Sequence, residues 1–381
     1  MEGASRAIID LSALRANLAL AQALAGGREV IAVVKADAYG HGALEVARCL
    51  EEAGCSRQAV VTVDEGLALR EAGVRAQILV LGGLGSARDA KAAGQHGLTP
   101  VVHNSESLAW AQEAAGSYAG DLPVHLEVDT GMRRMGSDPE EALALAEAIH
   151  AHPGLELDGT YTHFASADCP DLSASLEQVR VFRGFLHALA ERQLSPGLVH
   201  AANSSALLAG PDLLDALPEA GGVRPGLMLY GARSAAHEDP QRRLRAVMSV
   251  HTRVAAVRTL EGGEAVGYGS TWKADGPTRV ATLPLGYADG VLRSLSNRGQ
   301  IWLAGGRRPI VGRVSMDSVT VAVSDPAVSL SVGDPAVFFG RAPDGEGGVP
   351  VEDQAESAGT LAYELLVGVG ERVPRIAVEA R

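Results

Sequence analysis

The chain has 381 residues, 46% hydrophobic and 21% charged, the range of folded globular proteins rather than disordered ones. Lys+Arg of 33 against Asp+Glu of 46 leave a net charge of −13, which argues against nucleic acid or anionic membranes as partners, since both need a basic patch. No apolar run reaches the roughly 20 residues of a membrane span. The N-terminus MEGASRAIID has no apolar signal core. Cys49, Cys55 and Cys169 form neither a disulfide framework nor a metal quartet. These bounds lead us to expect a cytoplasmic enzyme of about two domains with no metal site.

Short β-rich runs alternate with helix-patterned segments in the first part of the chain. The runs are Val30 to Asp37, Ala59 to Val63, Ala76 to Leu81, Leu98 to Val102, Pro123 to Asp129, Leu155 to His163, Leu198 to Ser204 and Gly222 to Gly231. Several are almost wholly apolar (VIAVV, AVVTV, QILVLG), as strands buried on both faces of a parallel sheet should be. Among the intervening segments, DPEEALALAEAIHAH offers Asp138 as N-cap and Pro139 as first helical residue. Some eight strand–helix repeats predict a (β/α)8 barrel, ahead of an open doubly wound sheet. From Val247 onward the runs become β-branched and alternating, with few helical segments before GTLAYELLVGVG. This predicts a second, β-rich domain, with the barrel over 1–238, the β domain over 239–381 and the boundary in SAAHEDP. Ala342 to Pro350 reads as an exposed loop.

Active-site residues of parallel barrels stand at the C-terminal strand ends. Those ends carry Lys35, Asp37, Tyr39 and His41 (first), Asp129, Arg133 and Arg134 (fifth), Tyr161 and His163 (sixth), AANSS (seventh) and Arg224 (eighth). A desolvated lysine beside cations has a lowered pKa, which frees its amine to form a Schiff base. Taken singly, each residue has a structural reading: a solvated lysine, a hydrogen-bonded core histidine, a turn glycine. Their convergence on one barrel face favours chemistry. GGLGSAR is a poor dinucleotide fingerprint, with Arg88 where its last glycine belongs, and His150 and His152, two apart on a helix, share no face for a metal.

The motifs VVKADAYGHG, DTGMRRMG, YTHFASAD, ANSSA, VRPGLMLYG, GYGSTW, PLGYADG, GRVSMD, AYELL and RVPR follow one another over nearly the whole chain. In this order they resemble the alanine racemases, pyridoxal-phosphate enzymes built on a barrel plus a β domain. The resemblance implies that Lys35 carries the cofactor as a Schiff base and that Tyr39, Ser204, Gly226, Leu227 and Tyr363 hold its phosphate. Arg224 would face the pyridine nitrogen with His163 behind it, and Arg134 would meet the cofactor's phenolic oxygen and the substrate carboxylate. Tyr268, Met316 and Asp317 would come from the partner subunit of a homodimer with shared sites, and Tyr287 would line the entrance. Lys35 and Tyr268 would then be the two bases, Lys35 acting on the D and Tyr268 on the L enantiomer.

Glu127 stands where many members carry a carbamylated lysine, and we expect it to pair with Arg134. Ser315 and Ser318 replace a common cysteine and glutamine, which leaves alanine against serine preference open. A racemase of serine or another small amino acid is the nearest alternative. A non-catalytic pyridoxal-phosphate protein would lack the β domain. A decarboxylase of this barrel type would carry a cysteine in its C-terminal half, where this chain has none.

Overall fold

The computed structural model describes residues 5–233, 244–343 and 345–379. Eight parallel strands close a barrel in chain order: Glu29–Val33, Arg57–Val60, Gln77–Val80, Leu98–Val102, Leu122–Glu127, Leu155–Tyr161, Leu198–His200 and Gly222–Val223. Each corresponds to a run read from the sequence. The seventh and eighth are shorter than expected: Ser204 opens a helix (Ser204–Leu208), and Leu227–Tyr230 form a 3-10 turn. Helix starts follow local chemistry. Asp138 Oδ1 accepts from the Glu140 and Glu141 N–H groups at 3.0 Å, and Pro139 takes the first position. Thr62 and Glu65 form a reciprocal capping box on Val63–Glu71.

The second unit is a sheet of ten strands among the described residues, with a two-strand ribbon, Ala265–Val266 against Trp272–Lys273. Its next-to-last member on one side is unexpected. Arg6–Asp10, inside the 1–238 range assigned to the barrel, pairs antiparallel with Met248–Arg253 and parallel with Arg375–Val378. Pairing across some 240 positions leaves no local signal, so the sequence offered no hint of it. Asp10 then ends that strand and caps the first helix, Leu11–Ala25, by accepting from the Ala13 N–H at 2.9 Å. The boundary stretch SAAHEDP lies outside the described residues. Two further differences concern the C-terminal part. Gly348–Val349 pairs with Gly340–Arg341, so the expected 342–350 loop ends in a strand, and Val351–Ala358 is a helix with no counterpart in the sequence reading. One continuous core joins barrel and sheet: Leu14, Ile31 and Leu50 belong to the same buried cluster as Val250, Leu283 and Phe338.

Candidate active site

Lys35 stands two residues beyond the first barrel strand, at the start of an unusual turn. Ala36, Asp37, Ala38 and Tyr39 all have φ between 52° and 55°. The left-handed region costs L-residues roughly 1–2 kcal/mol each, so surrounding contacts must hold this turn. Glu65 does so at one end, accepting from the Ala36 N–H at 2.7 Å and the Val61 N–H at 2.8 Å. Asp37 Oδ1 accepts from the Ala43 N–H at 2.7 Å, and Arg375 Nε donates to the Gly40 carbonyl at 2.9 Å. Gly40 has no alternative, since φ is +80° and a Cβ there would lie 2.3 Å from the Leu366 carbonyl oxygen.

A cavity of about 420 Å³ opens at the C-terminal strand ends. Lys35, Tyr39, Arg134, His163, Ser204, Arg224, Gly226, Leu227 and Tyr363, all named from the sequence, line it together. Glu127, Tyr161 and Asn203 complete its polar wall. One corner is a cluster of hydroxyls and backbone amides. Ser204 Oγ accepts from the Gly226 N–H at 2.9 Å and the Met228 N–H at 3.2 Å. Leu227 opens the 3-10 turn, so its N–H has no partner within that turn. The Tyr39 ring packs 4.7 Å from Tyr230 and 6.0 Å from Tyr363. Burial raises the pKa of both Tyr39 and Tyr363, keeping their hydroxyls neutral donors.

Burial first, and Arg134 second, push the Lys35 ammonium pKa down, against a weaker opposing pull from Glu65. Arg224 is buried and held on every side. It donates to the Thr162 carbonyl at 2.9 Å, to His163 Nδ1 at 3.2 Å and to His200 Nδ1 at 2.5 Å, and lies 4.4 Å over the Tyr161 ring. His163 is brought down to about 3 by burial and by the Arg224, Arg134 and Lys35 charges, so it is neutral.

The expected Glu127–Arg134 pair is absent. Glu127 ends the buried fifth strand, where its carboxylate accepts from the Tyr161 hydroxyl at 3.0 Å. His103 Nδ1 also lies 3.0 Å from it, off the line of a hydrogen bond. Arg134 belongs to the exposed turn beyond and has no ion-pair partner among the described residues. The neighbouring strands supply the carboxylate's contacts before that turn reaches it.

The β-domain residues sit elsewhere. Tyr268 is 73% exposed, Met316 51% and Tyr287 45%, and neither they nor Asp317 line their own chain's cavity. The Tyr287 N–H donates to the Ser315 carbonyl at 3.0 Å and the Ala288 N–H to the Met316 carbonyl at 3.1 Å. Arg372 bridges Asp289 at 3.0 Å and Asp317 at 2.8 Å, which fixes these two turns to one another. Among the described residues no group of three or more His, Cys, Asp or Glu side chains is placed to hold a metal, and no helix is long and apolar enough to cross a membrane.

Comparison with known proteins agrees with the motif order. The model of the alanine racemase N-terminal domain matches residues 9–234, and that of the C-terminal domain matches residues 247–377. An alanine racemase of Sorangium cellulosum is 41% identical over 380 residues, covering 97% of this chain and 98% of its own. The crystal structure of alanine racemase from D-cycloserine-producing Streptomyces lavendulae superposes with a TM-score of 0.91 at 32% identity, covering 100% of this chain and 98% of that one. That of Bartonella henselae, described with covalently bound pyridoxal phosphate, gives 0.87 at 30% identity, with 99% and 100% covered. With both domain models matched in order and this similarity running from end to end, the chain belongs to the alanine racemase family of amino-acid isomerases.

Proposed function

We propose that this cavity binds pyridoxal phosphate at Lys35 and interconverts L- and D-alanine between two bases, Lys35 and Tyr268 of the partner subunit. The observation that carries this reading is a lysine of lowered pKa lining the same cavity as a corner of hydroxyl and amide donors. The donor set fits the cofactor. Ser204, Tyr39, Tyr363 and the Leu227 amide suit a phosphate, the Gly226 amide holds Ser204 Oγ among them, and the missing Gly226 side chain leaves room beside Tyr39. The fixed Arg224 cation suits an unprotonated pyridine nitrogen.

Bound pyridoxal phosphate supplies a carbonyl that condenses with amines and a ring that delocalises the electron pair left at the substrate's Cα. The protein does the rest. Arg134, which lines the cavity, would hold the phenolic oxygen and the substrate carboxylate, with Met316 and Asp317 of the partner subunit beside it. Lys35, as a free amine, would move a proton at one face of Cα. Tyr268 of the partner subunit does so at the other, as inversion by proton removal and return requires. A free tyrosine titrates near pH 10, so its phenol serves as a base only beside positive charge, here that of Arg224 reached through His163. Facing the ring nitrogen with a cation instead of a carboxylate weakens electron withdrawal and favours proton return over transamination. The exposure of Tyr268, Tyr287 and Met316 outside their own cavity supports a homodimer with shared sites, with Tyr287 of the partner subunit at the entrance.

Incubation with L-alanine or L-serine, followed by chiral analysis, tests the reaction. We expect D-alanine to form, faster than D-serine. Borohydride reduction of the loaded protein should attach the cofactor to Lys35. An unlabelled Lys35, or no D-alanine, refutes the reading.

A further inference from the structure

Barrel interiors are ordinarily filled with layers of Val, Ile and Leu. Here a polar column runs down the interior from Arg224. Arg224 Nη1 donates to His200 Nδ1, His200 and His125 meet at 2.8 Å (Nε2 to Nδ1), and His125 Nε2 lies 3.2 Å from Asp158 Oδ2. Both imidazoles are buried, His200 wholly so. The tautomers follow from Arg224 alone. A guanidinium only donates, so His200 Nδ1 must accept, and its proton sits on Nε2. That proton is donated to His125 Nδ1, which leaves the His125 proton on Nε2, pointed at the Asp158 carboxylate. Every donor faces an acceptor, in one direction, from cation to anion.

Two features of the backbone accommodate this column. The ladder between the fifth and sixth strands shifts register at Asp158: Val124 pairs with Leu157, and His125 with Gly159. The extra residue of this bulge is Asp158. Beside it, a Cβ on Gly159 would lie 2.4 Å from the His125 ring, so only glycine leaves space for that imidazole. Arg224 needs such a connection. It is buried, no carboxylate is among its hydrogen-bond or ion-pair partners in the described residues, and a buried cation is costly unless paired. Asp158 is ionised, because hydrogen bonds from His125, Arg57 and Gln77 outweigh its burial, and both histidines are held neutral, chiefly by burial.

We infer that Asp158 is a positioning residue for Arg224, acting through His125 and His200. This rests on the reading that Arg224 faces the cofactor ring. The carboxylate polarises His125, which makes His200 Nδ1 a stronger acceptor and fixes the plane and hydrogen bonds of the guanidinium.

The test uses the full chain loaded with pyridoxal phosphate. In Asp158→Asn the amide oxygen still accepts from His125, so the column keeps its shape and loses its charge. The visible absorption band of the bound cofactor should shift, and kcat should fall roughly tenfold, the loss typical when a partner orienting a reactive group is removed. KM should stay within about twofold, since the substrate's own contacts are untouched. Asp158→Glu should restore most of both signals. Arg57→Gln removes the 2.6 Å ion pair to Asp158 without breaking the column, so it should cost stability but leave band and kcat in place. Equal losses in Arg57→Gln and Asp158→Asn would reduce Asp158 to a structural role and overturn the proposal. So would an unchanged band in Asp158→Asn when Arg224→Lys moves it. If Arg224→Lys leaves the band unmoved too, the reading of Arg224 falls and the proposal with it. Should Asp158→Asn not fold, 15N spectra of the histidines in the unsubstituted protein decide: Nε2–H on both His125 and His200 supports the column, and Nδ1–H on either overturns it.

Discussion

Tyr39 and Gly226 meet so closely that a Cβ added to Gly226 would lie 2.3 Å from the Tyr39 hydroxyl oxygen. Tyr39 supplies all three of the nearest atoms that such a Cβ would meet. Gly226→Ala therefore isolates one contact of the proposed phosphate corner. The methyl must push the Tyr39 hydroxyl out of place while the fold survives. Because a hydrogen bond to a charged group contributes about 1.5–3 kcal/mol, we expect cofactor affinity to fall roughly 10- to 100-fold. Equilibrium titration followed by cofactor absorbance measures it; unchanged affinity would remove Tyr39 from the phosphate site.

The corner was legible in the sequence because its residues fall in motifs that resemble the family's, Tyr39, Ser204 and Gly226 near barrel-strand ends and Tyr363 in the helix Ala362–Val367. The column below Arg224 was not. His125 and His200 lie within short apolar strands, where a histidine carries no mark of what lies across the barrel, and the bulge that presents Asp158 has no period. The left-handed turn at Ala36–Tyr39 escaped for a related reason: a run of four residues at positive φ has no sequence signal in Ala-Asp-Ala-Tyr, and Glu65 and Arg375, distant in sequence, help to hold it there. Glu127 shows the opposite failure. Its charge invited a cationic partner, and the strands on either side gave it Tyr161 and His103 instead.

That arrangement has a measurable consequence. Glu127→Leu leaves the buried Tyr161 hydroxyl without its acceptor, which should cost about 1–3 kcal/mol in denaturant unfolding. Glu127→Gln retains an acceptor and should cost less. Because no ion pair joins Glu127 to Arg134, a double-mutant cycle between the two should give coupling below about 0.5 kcal/mol. Stronger coupling would restore the expected pair.

Acid should destabilise the fold through its histidines. His41 is brought down to about 4 and His163 to about 3, chiefly by burial, and His125 and His200 are lowered for the same reason. In the unfolded chain these groups titrate near 6.5. Below about pH 6.5 the unfolded chain takes up protons that the fold excludes, so stability falls as pH drops from there towards 4, by about 1.4 kcal/mol per pH unit for each group. His41→Gln removes one such group, at the cost of its 4.6 Å ring contact with Tyr230. Its unfolding free energy should be lower at pH 7 yet fall less steeply with acid. A slope equal to the unsubstituted protein's would show that His41 does not titrate in this window.

The shared site makes a prediction that no single-chain mechanism makes. Lys35 lines the cavity, whereas Tyr268 is exposed on the β domain of the same chain. Lys35→Ala and Tyr268→Phe should each be nearly inactive. If each site draws Lys35 from one subunit and Tyr268 from the other, a hybrid dimer has one site with both substitutions and one with neither. Equal mixing puts half the dimers in hybrid form, each with one intact site, so about a quarter of the original activity should return. Mixing must follow dissociation, and hybrid formation can be followed with a charge tag on one variant. With Tyr268→Phe alone, loss should be greater for proton abstraction from L-alanine than from D-alanine, read by solvent isotope incorporation at Cα. Hybrids that regain nothing would place both bases on one chain, and equal losses from the two enantiomers would reverse the assignment of Tyr268 to the L face.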